Sequence, residues 1–222
     1  RRADRYVDAV LDNLDVFVEG FTTTVTLTLL AAVGALVLGT LIAAMRVSPV
    51  PPLRWVGTAY VTLVRNTPLT VVFFLVVFGL PEVDVILSFY RFAVVALALY
   101  TAAFVAEAVR SGINSVAAGQ AEASRSVGMT FGQTLRLVVL PQAFTNIIPP
   151  LASIFIALLK NTSIAYAFGV FEGTQALNQL INANGSDVIA LLLAAAAIYL
   201  VLALISSALF GLLERAVQPA ER

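Results

Sequence analysis

Long apolar stretches alternate along this chain with short polar connections. A helix that crosses a bilayer takes about 20 mostly apolar residues. Five stretches come near that criterion: 17–45, 55–80, 87–109, 141–159 and 188–213. The pattern predicts an all-α integral membrane protein of about five spans, forming one transmembrane domain over residues 1–222. The stretch 111–140, between the third and fourth spans, is neither apolar nor disordered in its pattern.

Small residues mark helix contacts. Ala31, Ala35, Gly39 and Ala43 recur at four-residue spacing in the first span, and Ala98, Ala102 and Ala106 in the third. Such stripes let backbones approach closely in lipid, and packing is their expected role. Thr22, Thr23, Thr24, Thr26 and Thr28 crowd the start of the first span. Helical threonine can bond back to its own backbone, which accounts for the run.

Cations in short loops set orientation. Arg46 and Arg54 follow the first span, Arg110, Arg125 and Arg136 the third, and Arg215 the fifth. These places share one side, the expected cytoplasmic one. Glu82, Asp84, Glu172 and Asp187 occupy the opposite connections. The N-terminus is then outside and the C-terminus inside. Arg1, Arg2 and Arg5 run against this but lie near the limit of the rule's reach. A first residue of Arg rather than Met leads us to expect a trimmed or incompletely covered N-terminus, and no cleavable signal pattern is visible.

Composition narrows the function. The chain is 60% hydrophobic and 12% charged, with zero formal net charge, no Cys and no His. A soluble domain carries about twice that charged share. Neutrality gives a nucleic-acid partner no electrostatic support. Without Cys and His there are no disulfides and no Ser–His–Asp or Cys–His catalysis. Most zinc and haem ligation is also removed. No paired carboxylates or metal ligands converge, so neither catalytic nor metal residues are expected.

Within 111–140, the run from Gln120 to Arg125 suits a helix. Gly128 can end it in the left-handed conformation. Thr130 can cap a following amphipathic helix, with Gln133 at the capping-box position. A structured loop of this length suggests docking rather than linkage. The residues Glu122-Ala123-Ser124, then Gly128, then Val138-Val139-Leu140-Pro141 resemble the signature loop of bacterial ATP-binding-cassette importer permeases. That pattern is Glu-Ala-Ala, three residues, Gly, nine residues, Ile, any residue, Leu-Pro. Here Ser replaces the second Ala and Val replaces Ile.

Further segments are similar to the polar amino-acid branch of that family. They are Val64-Arg65-Asn66-Thr67-Pro68-Leu69, Phe78-Gly79-Leu80-Pro81, 104–113 and Leu158-Leu159-Lys160-Asn161-Thr162-Ser163. Met45-Arg46-Val47-Ser48-Pro49-Val50 with Arg65-Asn66-Thr67-Pro68 most resembles the glutamate-uptake permeases of actinobacteria. Ala117-Ala118 departs from the family, which often has Pro before the Gly119-Gln120 pair.

The resemblance implies a type I importer permease that moves a polar amino acid, with glutamate favoured, by alternating access. It assigns ATPase coupling to Gly119, Glu122, Ala123, Ser124, Gly128, Leu140 and Pro141. It also implies a cytoplasmic ATPase dimer, a second identical or homologous permease subunit, an extracytoplasmic substrate-binding protein and surrounding lipid. The bacterial cytoplasmic membrane is the implied location. Lys160 is the only Lys, and no Gly-rich loop ends in Gly-Lys-Ser or Gly-Lys-Thr. The chain itself should bind no cofactor and be no enzyme, with ATP and Mg held by the partner.

Candidate pathway residues are Arg65, Asn66, Thr67, Lys160, Asn161 and Glu107. Two placements of Arg65 stand side by side. One lies deep in the second span facing protein or water; the other is an interfacial 55–66 segment, where Trp55 and Tyr60 suit headgroups. Thr67-Pro68 reads as a helix start, with Thr as cap and Pro first, and such an N-terminus could receive a carboxylate. Lys160 either neutralises a substrate carboxylate or snorkels to the outer headgroups. Glu107 and Arg110 are spaced for an intrahelical pair, structural in role. An ion-coupled secondary amino-acid transporter is the alternative. It would want acidic relays in the spans, and Glu107 is the only acid well inside one. A membrane enzyme lacks ligands, and a scaffold leaves the docking signature without a purpose.

Overall fold

The computed structural model describes residues 2–217, with side chains described over 7–217. The side chains of Arg1, Arg2 and Arg5 therefore lie outside the described residues. Within them every regular element is helical: α1 (Arg2–Leu11), α2 (Leu14–Val47), α3 (Pro51–Arg65), α4 (Leu69–Gly79), α5 (Phe89–Asn114), α6 (Ala118–Ser126), α7 (Phe131–Thr134), α8 (Leu140–Asn161), α9 (Gly173–Ala183) and α10 (Val188–Val217). A π-helical turn, Leu135–Val139, joins α7 to α8, and a 3-10 helix, Thr162–Phe168, extends α8. Four elements are long and apolar enough to cross a membrane: Leu14–Val47, Phe89–Asn114, the joined Phe131–Phe168, and Val188–Val217.

The second expected span is not one straight helix. Pro51–Arg65 and Leu69–Val83 meet at a bend of 108°. Residues before proline avoid the helical region, and α3 closes on itself just there. Thr67 donates its N–H to Val64 O and its hydroxyl to Leu63 O. This corrects the expected cap: Thr67 finishes α3, and Pro68 is the residue whose carbonyl accepts from Val71 and Val72 at the start of α4. The Tyr60 hydroxyl donates to Leu99 O of α5 at 2.7 Å and ties α3 to that helix. Trp55 of α3 is 71% exposed.

The centre is the crossing of α2 with α5. Ala31, Ala35 and Ala43 are fully buried on α2, and so are Ala102 and Ala106 on α5. A methyl on Gly39 would stand 2.7 Å from Val105 Cβ and 2.8 Å from Ala102 O. The small-residue stripes thus do what was expected of them. The crossing of α5 with α8 repeats the device, where a methyl on Gly112 would overlap Ile147. The break after α3 turns α4 back onto this centre. Phe73 of α4 stacks on Phe168 at 4.9 Å between centroids. Large apolar side chains of α2 and α10 that face away from the packed helices, such as Leu29, Val33, Leu193 and Leu209, are more than half exposed. That outer surface suits hydrocarbon.

Two ends of the molecule follow from α2. Its first turns meet α9, since a methyl on Gly20 would lie 2.6 Å from Ala176 Cβ. Its last turn carries Arg46, bonded to Glu107 of α5.

The 111–140 segment folds as its residues direct. α6 ends in a left-handed Gly128, φ 86°. Gly128 N–H donates to Arg125 O and Met129 N–H to Ser124 O, the Schellman arrangement. Thr130 and Gln133 form the expected reciprocal capping box of α7. The second amphipathic helix, α7, runs on without a break toward the fourth span. It continues through the π turn into α8. Pro141 has no N–H to give, and one residue earlier Leu140 donates to Leu135 O, one residue further back than in an α-helix.

Candidate functional site

A cavity of about 510 Å³ opens along α5 and α8. Arg65, Glu107, Ser111, Ser115, Asn146 and Ser153 supply its polar wall. A second cavity of about 310 Å³ adjoins it, sharing Phe104, Ser153 and Ile154 and reaching Tyr100, Thr101 and Asn161. Gly112 and Pro150 keep the first wall low in side-chain bulk.

The charge in this wall is uneven. Glu107 Oε2 accepts from Arg46 at 2.5 Å, and Oε1 accepts from Arg110 at 2.5 Å. Arg65 reaches Oε2 only at 3.6 Å. Three guanidiniums from α2, α3 and α5 therefore share one carboxylate. Arg110 completes the expected intrahelical pair with Glu107, while Arg46 and Arg65 join from distant sequence. Arg65 also lies over the Phe104 ring, 5.4 Å from its centroid. The Nε groups of Arg46 and Arg110 are buried with no hydrogen-bond partner.

The other candidates are placed as follows. Asn161 lines the second cavity. Asn66 and Thr67 bond back to Thr62 O and Leu63 O of α3 and line neither cavity. Lys160 is exposed and lines neither.

In the elbow, Glu122, Ala123, Gly119 and Gly128 are exposed, and Ser124 is buried. Ser124 Oγ lies 2.9 Å from Thr134 Oγ1, which fastens α6 to α7. Val127 and Phe131, on either side of Gly128, are 79% and 72% exposed. Leu140 is partly exposed beside Pro141 in the rod that leads to the cavities.

Arg46 and the cavity-lining Ser111, Ser115, Asn146 and Ser153 were not foreseen as site residues from the sequence, and neither was a buried acid. Glu172, expected as a loop acid, is fully buried. Its Oε1 accepts from the N–H groups of Thr174 and Gln175, capping α9. Its Oε2 accepts from the Tyr199 hydroxyl at 3.1 Å and the Thr24 hydroxyl at 3.4 Å. Thr24 in turn accepts from Gly173 N–H at 3.0 Å. Burial pushes the Glu172 carboxyl above the ordinary carboxylate value, against the downward pull of these donors. The available signal was an acid directly before a polar helix start, Glu172-Gly173-Thr174.

Residues 35–219 match the family described as binding-protein-dependent transport system inner membrane component. A probable glutamine ABC transporter permease of Bacillus subtilis is 43% identical over 173 residues, covering 78% of this chain and 79% of that one. A glutamate transport system permease of Corynebacterium glutamicum is 46% identical over 166 residues, covering 69% and 73%. Among solved structures, an amino acid ABC transporter with histidines superposes with a TM-score of 0.86 at 34% identity, covering 93% of this chain and 96% of that one.

Proposed function

Because the chain belongs to the family of inner-membrane components of binding-protein-dependent transport systems, we propose that it is the permease subunit of an ATP-driven importer of a polar amino acid, with glutamate as the cargo. The relatives named for glutamine and glutamate support the substrate class. The observation that carries the mechanism is the elbow at α6. It is exposed on one side and fastened by Ser124, Thr134 and the Schellman turn to the rod that lines both cavities on the other.

A cytoplasmic ATPase dimer docks at Glu122–Gly128 and supplies the ATP and Mg, and the permease itself binds no cofactor. Nucleotide closes the ATPase pair, the elbows move, and the spans rock between outward and inward access. A second permease subunit, identical or homologous, completes the pathway, and an extracytoplasmic binding protein delivers the amino acid. The N-terminus lies outside and the C-terminus in the cytoplasm. The amino acid passes along α5 and α8, where Arg65, Glu107 and Asn161 face the cavities.

Reconstitution of the permease in liposomes with its ATPase and binding protein tests this. ATP-dependent L-glutamate uptake that persists without an ion gradient is expected. Uptake driven by a proton or sodium gradient without ATP would overturn it. The chain has no Cys, so a single Cys at Glu122 should cross-link selectively to the ATPase.

A further inference from the structure

Glu107 has two carboxylate oxygens, and each already receives a guanidinium at 2.5 Å. Arg65 is the third claimant, left at 3.6 Å. Its side chain is 42% exposed, against 12% for Arg46 and 31% for Arg110. It is the cation of the group with the most contact with the cavity and the weakest hold on its partner. It also sits on the last residue of α3, immediately before the 108° bend. A small movement at that joint would carry the guanidinium without disturbing the tighter pairs of Arg46 and Arg110.

The formal balance of the cluster is three positive charges against one negative. Beside a cavity with low-dielectric walls such a surplus favours an anion, and a planar guanidinium suits a carboxylate through two parallel bonds. The cavity volume of about 510 Å³ leaves room for an amino acid. The cluster offers a zwitterion no second acid for its ammonium, because Glu107 is already claimed. The neighbouring Phe104 ring, now under Arg65, is the surface that the ammonium would meet once Arg65 turns away.

We propose that Arg65 reads the cargo's α-carboxylate by exchanging partners, leaving its third share in Glu107 for a bidentate pair with the substrate. Arg46 and Arg110 keep Glu107 satisfied during the exchange, so no carboxylate is left unpaired. The reading is common to every α-amino acid and independent of its side chain. This rests on the proposed passage of an amino acid through the cavity.

The test is equilibrium binding of radiolabelled L-glutamate and L-glutamine to the intact permease–ATPase complex in nanodiscs, without binding protein. Their α-carboxamides serve as competitors. In the wild type the carboxamides should compete about tenfold or more weakly than the acids, the loss expected for one charge-assisted pair. R65Q should weaken both acids by a similar factor and leave the carboxamides unchanged, while R65K should recover part of the loss.

Equal competition by acid and carboxamide in the wild type would overturn the proposal without reference to any variant. So would R65Q weakening acids and carboxamides alike, which is the signature of a structural role. Absence of saturable binding to the wild type at millimolar concentrations would overturn it too. Failure of the importer reading itself would appear separately, as absent ATP-dependent uptake by the wild-type complex in liposomes.

Discussion

Removing the Glu172 side chain should be among the most damaging single changes to the stability of this protein. Its carboxylate takes four donors: two backbone N–H groups of α9 and the hydroxyls of Tyr199 and Thr24. Loss of a helix cap costs about 1 kcal/mol, and each buried donor left without a partner about 1–3 kcal/mol. Part of this is recovered, since both hydroxyls can rotate to other acceptors and Tyr199 keeps Thr174 Oγ1 at 3.1 Å. A net loss of about 3–5 kcal/mol is therefore expected for Glu172→Ala. Glu172→Gln keeps a carbonyl for the two N–H groups, and its amide can donate to hydroxyls that also accept. Its expected cost is about 1 kcal/mol. Thermal unfolding of the purified protein, followed by size-exclusion chromatography, ranks the variants. Thr24→Val combined with Glu172→Ala should be far less than additive, because both act in one network. If Gln were as damaging as Ala, or the double variant additive, the cap would not be the source of the stability.

The same carboxyl sets a pH dependence. Burial raises it in the folded protein, so the folded state binds its proton more readily than the unfolded chain. Its contribution is complete below the ordinary glutamate value of about 4.3 and is lost as pH rises through the folded value. Melting profiles from about pH 8 down to about pH 5 should therefore show the wild type gaining on Glu172→Gln; a constant difference would refute the assignment. At the α2–α5 crossing, Gly39→Ala should cost about 1–3 kcal/mol, because Val105 and the Ala102 carbonyl lie within 2.8 Å of the added methyl. Gly211→Ala, with nothing within 4 Å, should be neutral or stabilising by about 1 kcal/mol in the same melting assay.

Composition and length carried much of this fold. The spans, the small-residue stripes, the Thr130–Gln133 box and the left-handed Gly128 each depend on residues close in sequence, where spacing fixes geometry. The bend after α3 was hidden because apolar residues continue on both sides of it. Hydropathy registers transfer into lipid and is indifferent to direction. Thr67-Pro68 did mark the joint, but its hydroxyl had two helices within reach and took the earlier one. The Arg46–Glu107 bond joins residues 61 apart, and Thr24–Glu172 joins residues 148 apart. No local pattern encodes such partners. Arg65 was legible as a charge near a span and not as a member of a cluster, since that required knowing that α2, α3 and α5 converge.

These two carboxylates also differ in a way that bears on movement. Each has more donors than one acid ordinarily gathers, and each ties α2 to other helices. Glu172 does so in a sealed setting, at 0% exposure, where no water stands by to replace its donors. Opening that knot would leave buried N–H groups unpaired, a cost that holds α2, α9 and α10 together around Tyr199. Glu107 is 26% exposed and its third partner more so. Water or a passing anion can take up whatever bond breaks there, which lowers the cost of rearrangement from that of an orphaned charge to that of an exchange. On the proposed alternating access, a rocking motion within one subunit would be cheapest at the wet knot and hardest at the dry one. That places the yielding joint beside the cavity, at the end of α3, and the fixed one at the opposite end of α2.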